Sequence, residues 1–137
     1  MKKILYIFTF VLALNSTSFA QDDAGEKLRD KMIEYIQDKL SLSKAEAERF
    51  QPVFLDYLKE MRTTKQQFKG DKLVLQQKII DLRIRYRDQF KTIVGEKRSN
   101  EVYQHEKEFI EKAKSELNDR LENRRDGRPN KKTGFLH

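Results

Sequence analysis

Leu40-Ser41-Leu42-Ser43-Lys44-Ala45-Glu46-Ala47 reads as a tight corner followed by the first turn of a helix. Ser43 stands at the N-cap, where its hydroxyl accepts a hydrogen bond from the backbone N–H of Glu46. Glu46 stands three positions on, where its carboxylate reaches back to the N–H of Ser43, completing a capping box. Leu42 and Ala47 take the two positions of a hydrophobic staple, with Ala giving it little grip. A capping box alone says only that a helix starts here. The flanks say more: long charged stretches with helical spacing lie on both sides, so the chain reads as a set of helices joined at corners.

Upstream, Leu28, Met32, Ile36 and Leu40 recur every four residues, with Ile33 and Tyr35 beside them, which predicts a helix over 26–39. Residues 21–25 are expected to form a short mobile entry. Before them, Lys2 and Lys3 precede an uncharged, almost wholly apolar run from Ile4 to Leu14, and Asn15 to Ala20 is small and polar and ends Ser-x-Ala. That is the layout of a secretory signal peptide over residues 1–20, with cleavage after Ala20 and an uncleaved anchor as the alternative. The apolar run is shorter than the roughly 20 residues a membrane-spanning helix needs. The chain has no cysteine, which excludes a cysteine-linked lipid anchor and any disulfide.

Downstream, the helix starting at Lys44 places Ala47, Phe50, Phe54, Tyr57, Leu58, Met61 and Phe68 on one face. Pro52 sits inside this pattern, cannot donate to the carbonyl of Glu48, and is read as a kink or a break after a short first turn. Gly70-Asp71 closes that element and opens a third helix, from about Asp71 to Val94. Its seam is Leu75, Ile79, Leu82, Tyr86, Phe90 and Ile93, at near-heptad spacing. At about 100° per residue, Leu73, Ile80 and Ile84 lie nearly opposite that seam, bordered by Arg87 and Lys91. Gly95 breaks the pattern, and a fourth helix runs from about Glu96 to Arg124. Tyr103, Ile110, Leu117 and Leu121 are read as its seam, widened by Val102, Phe109 and Ala113. Residues 126–137 are basic, contain Gly and Pro, show no period, and are expected to be a disordered tail. Residues 26–125 therefore form one helical domain.

Composition narrows the function classes. Charged residues make up 37% of the chain, interspersed with apolar ones, which suits exposed amphipathic helices over a thin core. The net charge is +7, or +5 once Lys2 and Lys3 are removed with the signal peptide. A basic balance raises nucleic acid as a partner; export argues against it and redirects the charge toward acidic proteins, unfolded chains or a membrane surface. There is no nucleophile–base pair and no glycine-rich phosphate loop, and Ser43 is accounted for as a cap. Neither an enzyme nor a cofactor is expected. The only histidines are His105 and His137. His105 lies near Glu101 and Glu108 by helical spacing, without a His-rich or Met-rich run, so no metal site is expected.

The signal peptide, the small helical domain and a Leu-[Ser/Thr]-x-x-[Gln/Glu] helix start resemble the Spy/CpxP group of periplasmic proteins, known for LTxxQ motifs. Leu42-Ser43-Lys44-Ala45-Glu46 stands at the first motif, with Ser for Thr and Glu for Gln; both changes preserve the capping chemistry. The second motif falls at Val94-Gly95-Glu96-Lys97-Arg98, where Gly and Arg replace the capping pair and only a helix start is retained. Phe50-Gln51-Pro52-Val53-Phe54 is similar to a branch labelled "sensor of ECF-type sigma factor", whose members carry an aromatic-x-Pro soon after the first motif. The resemblance implies an elongated, kinked helical hairpin that pairs into a dimeric cradle and binds partly unfolded proteins without ATP. In related members the scaffold acts as an envelope-stress sensor or modulates a signalling partner.

The expected fold is thus all-α, a kinked helical hairpin of about four helices forming a homodimer. The expected function is periplasmic, ATP-independent capture of unfolded or stress-exposed proteins, with Leu73, Ile80, Ile84, Arg87 and Lys91 as the candidate binding residues. The bland reading of that stripe is burial against the first helix or across a dimer. The alternative function is a sensor or regulator acting on a membrane signalling protein, such as an anti-sigma factor or a kinase. No nucleic acid and no stable membrane insertion after cleavage are expected. Arg124, Arg125, Arg128, Lys131 and Lys132 form either a solvated end or a contact with an anionic membrane.

Overall fold

The computed structural model describes residues 19–127, with side chains from Asp23 onward. The expected signal peptide, apart from Phe19 and Ala20, and the tail from Arg128 lie outside the described residues. Four helices follow in order: α1 (Phe19–Lys39), α2 (Lys44–Gln67), α3 (Lys72–Val94) and α4 (Glu96–Arg125). No strand occurs among the described residues, and the fold is an all-α helical hairpin bundle.

The chain divides into two compact units, Met1–Lys31 and Met32–His137. The described part of the first is the leading portion of α1. From Asp23 on, its side chains are exposed apart from the half-buried Arg29 and Lys31, and the ion pairs Lys27–Asp23 (3.9 Å) and Arg29–Glu26 (3.8 Å) run along the helix surface. Residues 21–25, expected as a non-helical entry, belong to this helix. Asp23 is one partner of an i,i+4 pair, and such pairs support the helix locally.

The second unit holds the core. α2 packs on α3 and α3 on α4. The last turns of α1 add Ile33 and Ile36, and the turn after it Leu40, to a cluster built from Phe50, Phe54, Tyr57, Met61, Leu82, Tyr86, Phe90, Val94 and Val102. Aromatic rings dominate it: Phe50 and Phe90 lie 5.0 Å apart between centroids, Tyr57 and Tyr86 5.5 Å, and Tyr57 and Tyr103 5.4 Å. These separations fall in the range where aromatic pairs attract beyond simple area burial. Pro52 is exposed inside one continuous α2, so the alternative of a break after a short first turn does not hold. Phe50 and Phe54, either side of it, are both buried and stacked at 5.4 Å.

The expected seam of α3 is the core face, with Leu82, Tyr86 and Phe90 buried and Leu75, Ile79 and Ile93 half-buried. The expected register of α4 is corrected. Its buried face is Ser99, Val102, Glu106, Phe109 and Glu116, while Ile110, Leu117 and Leu121 are exposed. The buried set alternates by three and four residues with Ala113, half-buried, filling the gap. A register begun at Tyr103 instead of Val102 is rotated by about 100°. Polar Ser99, Glu106 and Glu116 inside the true seam conceal it from a reading by hydrophobicity.

Candidate functional site

The corner before α2 forms as its residues dictate. The N–H of Leu42 bonds the carbonyl of Gln37 (3.1 Å) and that of Ser41 the carbonyl of Asp38 (3.0 Å), the pattern of a Schellman C-cap, with Ser41 at φ 50. The capping box is complete: Glu46 N–H donates to Ser43 Oγ (3.2 Å) and Ser43 N–H to Glu46 Oε1 (3.0 Å). Leu42 is half-buried against the core.

The second corner supplies what the sequence conceals. Gly95 ends α3 and starts α4 at φ 84, ψ 169, a conformation essentially confined to glycine. That turn aims Arg98 back at the first corner. Its guanidinium forms a two-pronged ion pair with Glu46, one contact being Nη1 to Oε1 at 3.1 Å. It also donates to the carbonyls of Val94 (2.8 Å) and Leu40 (3.4 Å). The hydrogen bonds from Arg98, followed by that from the Ser43 N–H, hold the Glu46 carboxyl below its ordinary range. The last residues of the two helix-start motifs, Glu46 and Arg98, are therefore partners. Arg in the second motif is the complement of Glu in the first.

A buried polar cluster ties α2, α3 and α4 together. Glu106 Oε1 accepts from the Tyr57 hydroxyl (3.0 Å) and from Arg83 Nη2 (3.1 Å), and the Tyr103 hydroxyl donates to the Arg83 carbonyl (2.7 Å). The Arg83 guanidinium lies over the Tyr103 ring at 5.3 Å. Burial raises the Glu106 carboxyl despite these donors, and burial followed by the nearby Glu106 charge raises the Tyr57 and Tyr103 hydroxyls. All three tyrosines of the core stay protonated at physiological pH, since burial and then Glu60 push Tyr86 to about 12. The cluster joins α2, α3 and α4 through side chains from each.

His105 Nδ1 lies 3.0 Å from Glu108 Oε2, and the Lys112 ammonium donates to the Tyr35 hydroxyl at 2.8 Å. Of the two acids near His105 by spacing, Glu108 is the one the structure joins to it. Among the described residues no group of three or more His, Cys, Asp and Glu is placed to hold a metal ion. An open depression of about 430 Å³ is lined by Asp56, Lys59, Glu60, Thr63, Thr64, Gln67 and Tyr86.

The candidate binding stripe stands on the face of α3 away from the core. Leu73 is 78% exposed, Ile80 57% and Ile84 46%, so none of the three belongs to the buried core. Arg87 and Lys91 continue the stripe toward Gly95. Each has a nearby carboxylate, Arg87 with Asp88 at 3.5 Å and Lys91 with Glu96 at 3.4 Å. Such exposed pairs are weak and exchange readily for another anion. The stripe thus offers apolar side chains at one end and loosely held cations at the other.

The chain matches no protein-family model, no curated protein and no solved structure. No described helix is long and apolar enough to cross a membrane.

Proposed function

We propose that this chain is an exported, non-enzymatic protein of the Spy/CpxP type that binds partly unfolded proteins without nucleotide, on the outer face of α3. One observation carries the reading: Leu73, Ile80 and Ile84 are exposed in a line that Arg87 and Lys91 extend. Isolated surface leucines or isoleucines need no explanation, whereas an apolar row on a helix whose opposite side already packs a core does. A partly unfolded chain offers the matching chemistry, apolar side chains with intervening acids. Affinity of this kind is broad, moderate and weakened by salt at its ionic end.

The test is to refold a denatured model protein in the presence of the purified chain, without nucleotide, and follow light scattering. Suppression of aggregation at near-stoichiometric ratio, across unrelated clients, supports the proposal. A folded protein that suppresses nothing contradicts it, and points to a dedicated regulator with a single signalling partner.

A further inference from the structure

The α2–α3 corner has a composition that client capture on the middle of α3 does not use. Arg62, Lys65, Lys69, Lys72 and Lys78 flank it in sequence, all exposed, and Asp71 is the one acid between residues 61 and 80. Asp71 is already engaged: its Oδ1 caps α3 by accepting from the N–H groups of Leu73 and Val74, both at 3.1 Å. Among the described residues, none of these cations forms an ion pair with a carboxylate, whereas Arg83, Arg85 and Arg98 elsewhere in the bundle do. The ammonium of Lys78 rests instead 5.7 Å from the centre of the Phe68 ring. In the first turn of α3, between these cations, Leu73 is the most exposed large apolar side chain of the described chain, with Val74 beside it.

From this juxtaposition we infer that the α2–α3 corner docks on an anionic phospholipid surface, with Leu73 entering the headgroup–acyl boundary and the lysines meeting lipid phosphates. Charge complementarity selects the occupant's sign. Shape selects its class. A helix–helix corner with one highly exposed leucine, flanked in sequence by long flexible cations, fits a soft plane into which the leucine sinks while the lysine stems lie along the boundary and their ammoniums stay in the headgroups. A folded acidic protein would need a pocket to receive Leu73. Each lysine near such a surface contributes roughly fivefold in affinity, so several together make adsorption reversible and salt-sensitive, without any membrane-spanning segment. The inference shares Leu73 with the proposed client face, but Ile80, Ile84, Arg87 and Lys91 take no part in it, and the cations it invokes take no part in client capture.

The absence of cysteine makes the test local. A polarity-sensitive fluorophore is attached to the full chain at Leu73→Cys or, as a comparator near the opposite corner, at Lys97→Cys. Each is mixed with phosphatidylcholine vesicles with and without phosphatidylglycerol, and with polyglutamate. The expected result is a blue shift at position 73 with the phosphatidylglycerol vesicles alone, reversed by salt and absent at position 97. Adding Lys69→Gln and Lys72→Gln to the labelled chain should lower vesicle affinity roughly fivefold each, with helix content unchanged by circular dichroism. Equal shifts at both positions, no shift at 73, or a response at 73 to polyglutamate but not to vesicles would each overturn the inference, the last in favour of an acidic polypeptide.

Discussion

The two ends of the α2–α3 pair are capped equally well and finished quite differently. At the end where α2 begins and α3 stops, Ser43 and Glu46 cap one helix, Gly95 turns the chain, and Arg98 joins α4 to the corner after α1. Phe50, Phe90 and Val94 are buried there. At the end where α2 stops and α3 begins, Asp71 caps α3 with two hydrogen bonds, yet Leu73 is exposed and, among the described residues, Arg62, Lys65, Lys69, Lys72 and Lys78 form no ion pair with a carboxylate. Local helix chemistry is therefore not what separates a sealed corner from an available one. The difference lies in the partners: Arg98 of α4 brings a complementary side chain to Glu46 at the first corner, and among the described residues no carboxylate pairs with the cations at the second.

Core truncation should break the comparison most sharply. Phe90→Ala is expected to cost about 3–5 kcal/mol in urea unfolding, because the ring is fully buried among Phe50, Phe54 and Tyr57. Leu73→Ala, at the open end, should change stability by less than about 0.5 kcal/mol. A large loss from Leu73→Ala would make that end core. Next comes Gly95→Ala. No atom lies within 4 Å of an added Cβ, so the cost is purely conformational, roughly 1–3 kcal/mol for a side chain held at φ 84. A neutral result would show that the turn relaxes and that Arg98 is positioned otherwise.

The caps should give smaller and similar effects. Ser43→Ala and Asp71→Ala are each expected to cost about 1 kcal/mol in the same unfolding measurement, since both ends rely on a side-chain oxygen for their first N–H groups. A much larger loss at Ser43 would mean that the Arg98 contact depends on the cap and that the sealed corner acts as a unit.

The pH dependence separates the ion pair from the buried cluster by sign. The Glu46 carboxyl is held below its ordinary 4.5 by Arg98, so the unfolded chain binds protons more readily. Its contribution is present above pH 4.5 and lost as pH falls through the lowered value. The Glu106 carboxyl is raised by burial, so its contribution is present below 4.5 and lost as pH rises through the raised value. Arg98→Ala should flatten the acid limb of the stability profile, and Glu106→Gln should flatten the limb that declines with rising pH. Denaturant midpoints measured across pH read both; two unchanged profiles would detach these groups from stability.

Much of the fold was legible because its signals are local. Ser43 and Glu46 stand three residues apart, Gly95 interrupts two periodic stretches, and the aromatic residues of α2 and α3 recur at helical spacing. The placement of Leu73, Ile80 and Ile84 opposite the seam followed from the same arithmetic, but helical period alone left open whether they were packed against α1, across a dimer or free to bind a client. What was not legible depends on contacts far apart in sequence. Arg98 reads as the loss of a capping residue until Glu46, 52 positions away, is seen to receive it. Glu106 reads as a solvated carboxylate until Tyr57 and Arg83 close on it. The α4 register was missed for the same reason, because polar side chains occupy the buried seam while leucines stand outside.

The most direct test of the binding face is Ile84→Asp in the client-aggregation assay, with circular dichroism on the same samples. The expected result is a clear loss of aggregation suppression at unchanged helix content, because a charge then interrupts an exposed apolar row without touching the core. Full suppression by the folded variant, or unfolding of the variant, would contradict the assignment of α3's outer face as the surface that holds partly unfolded chains.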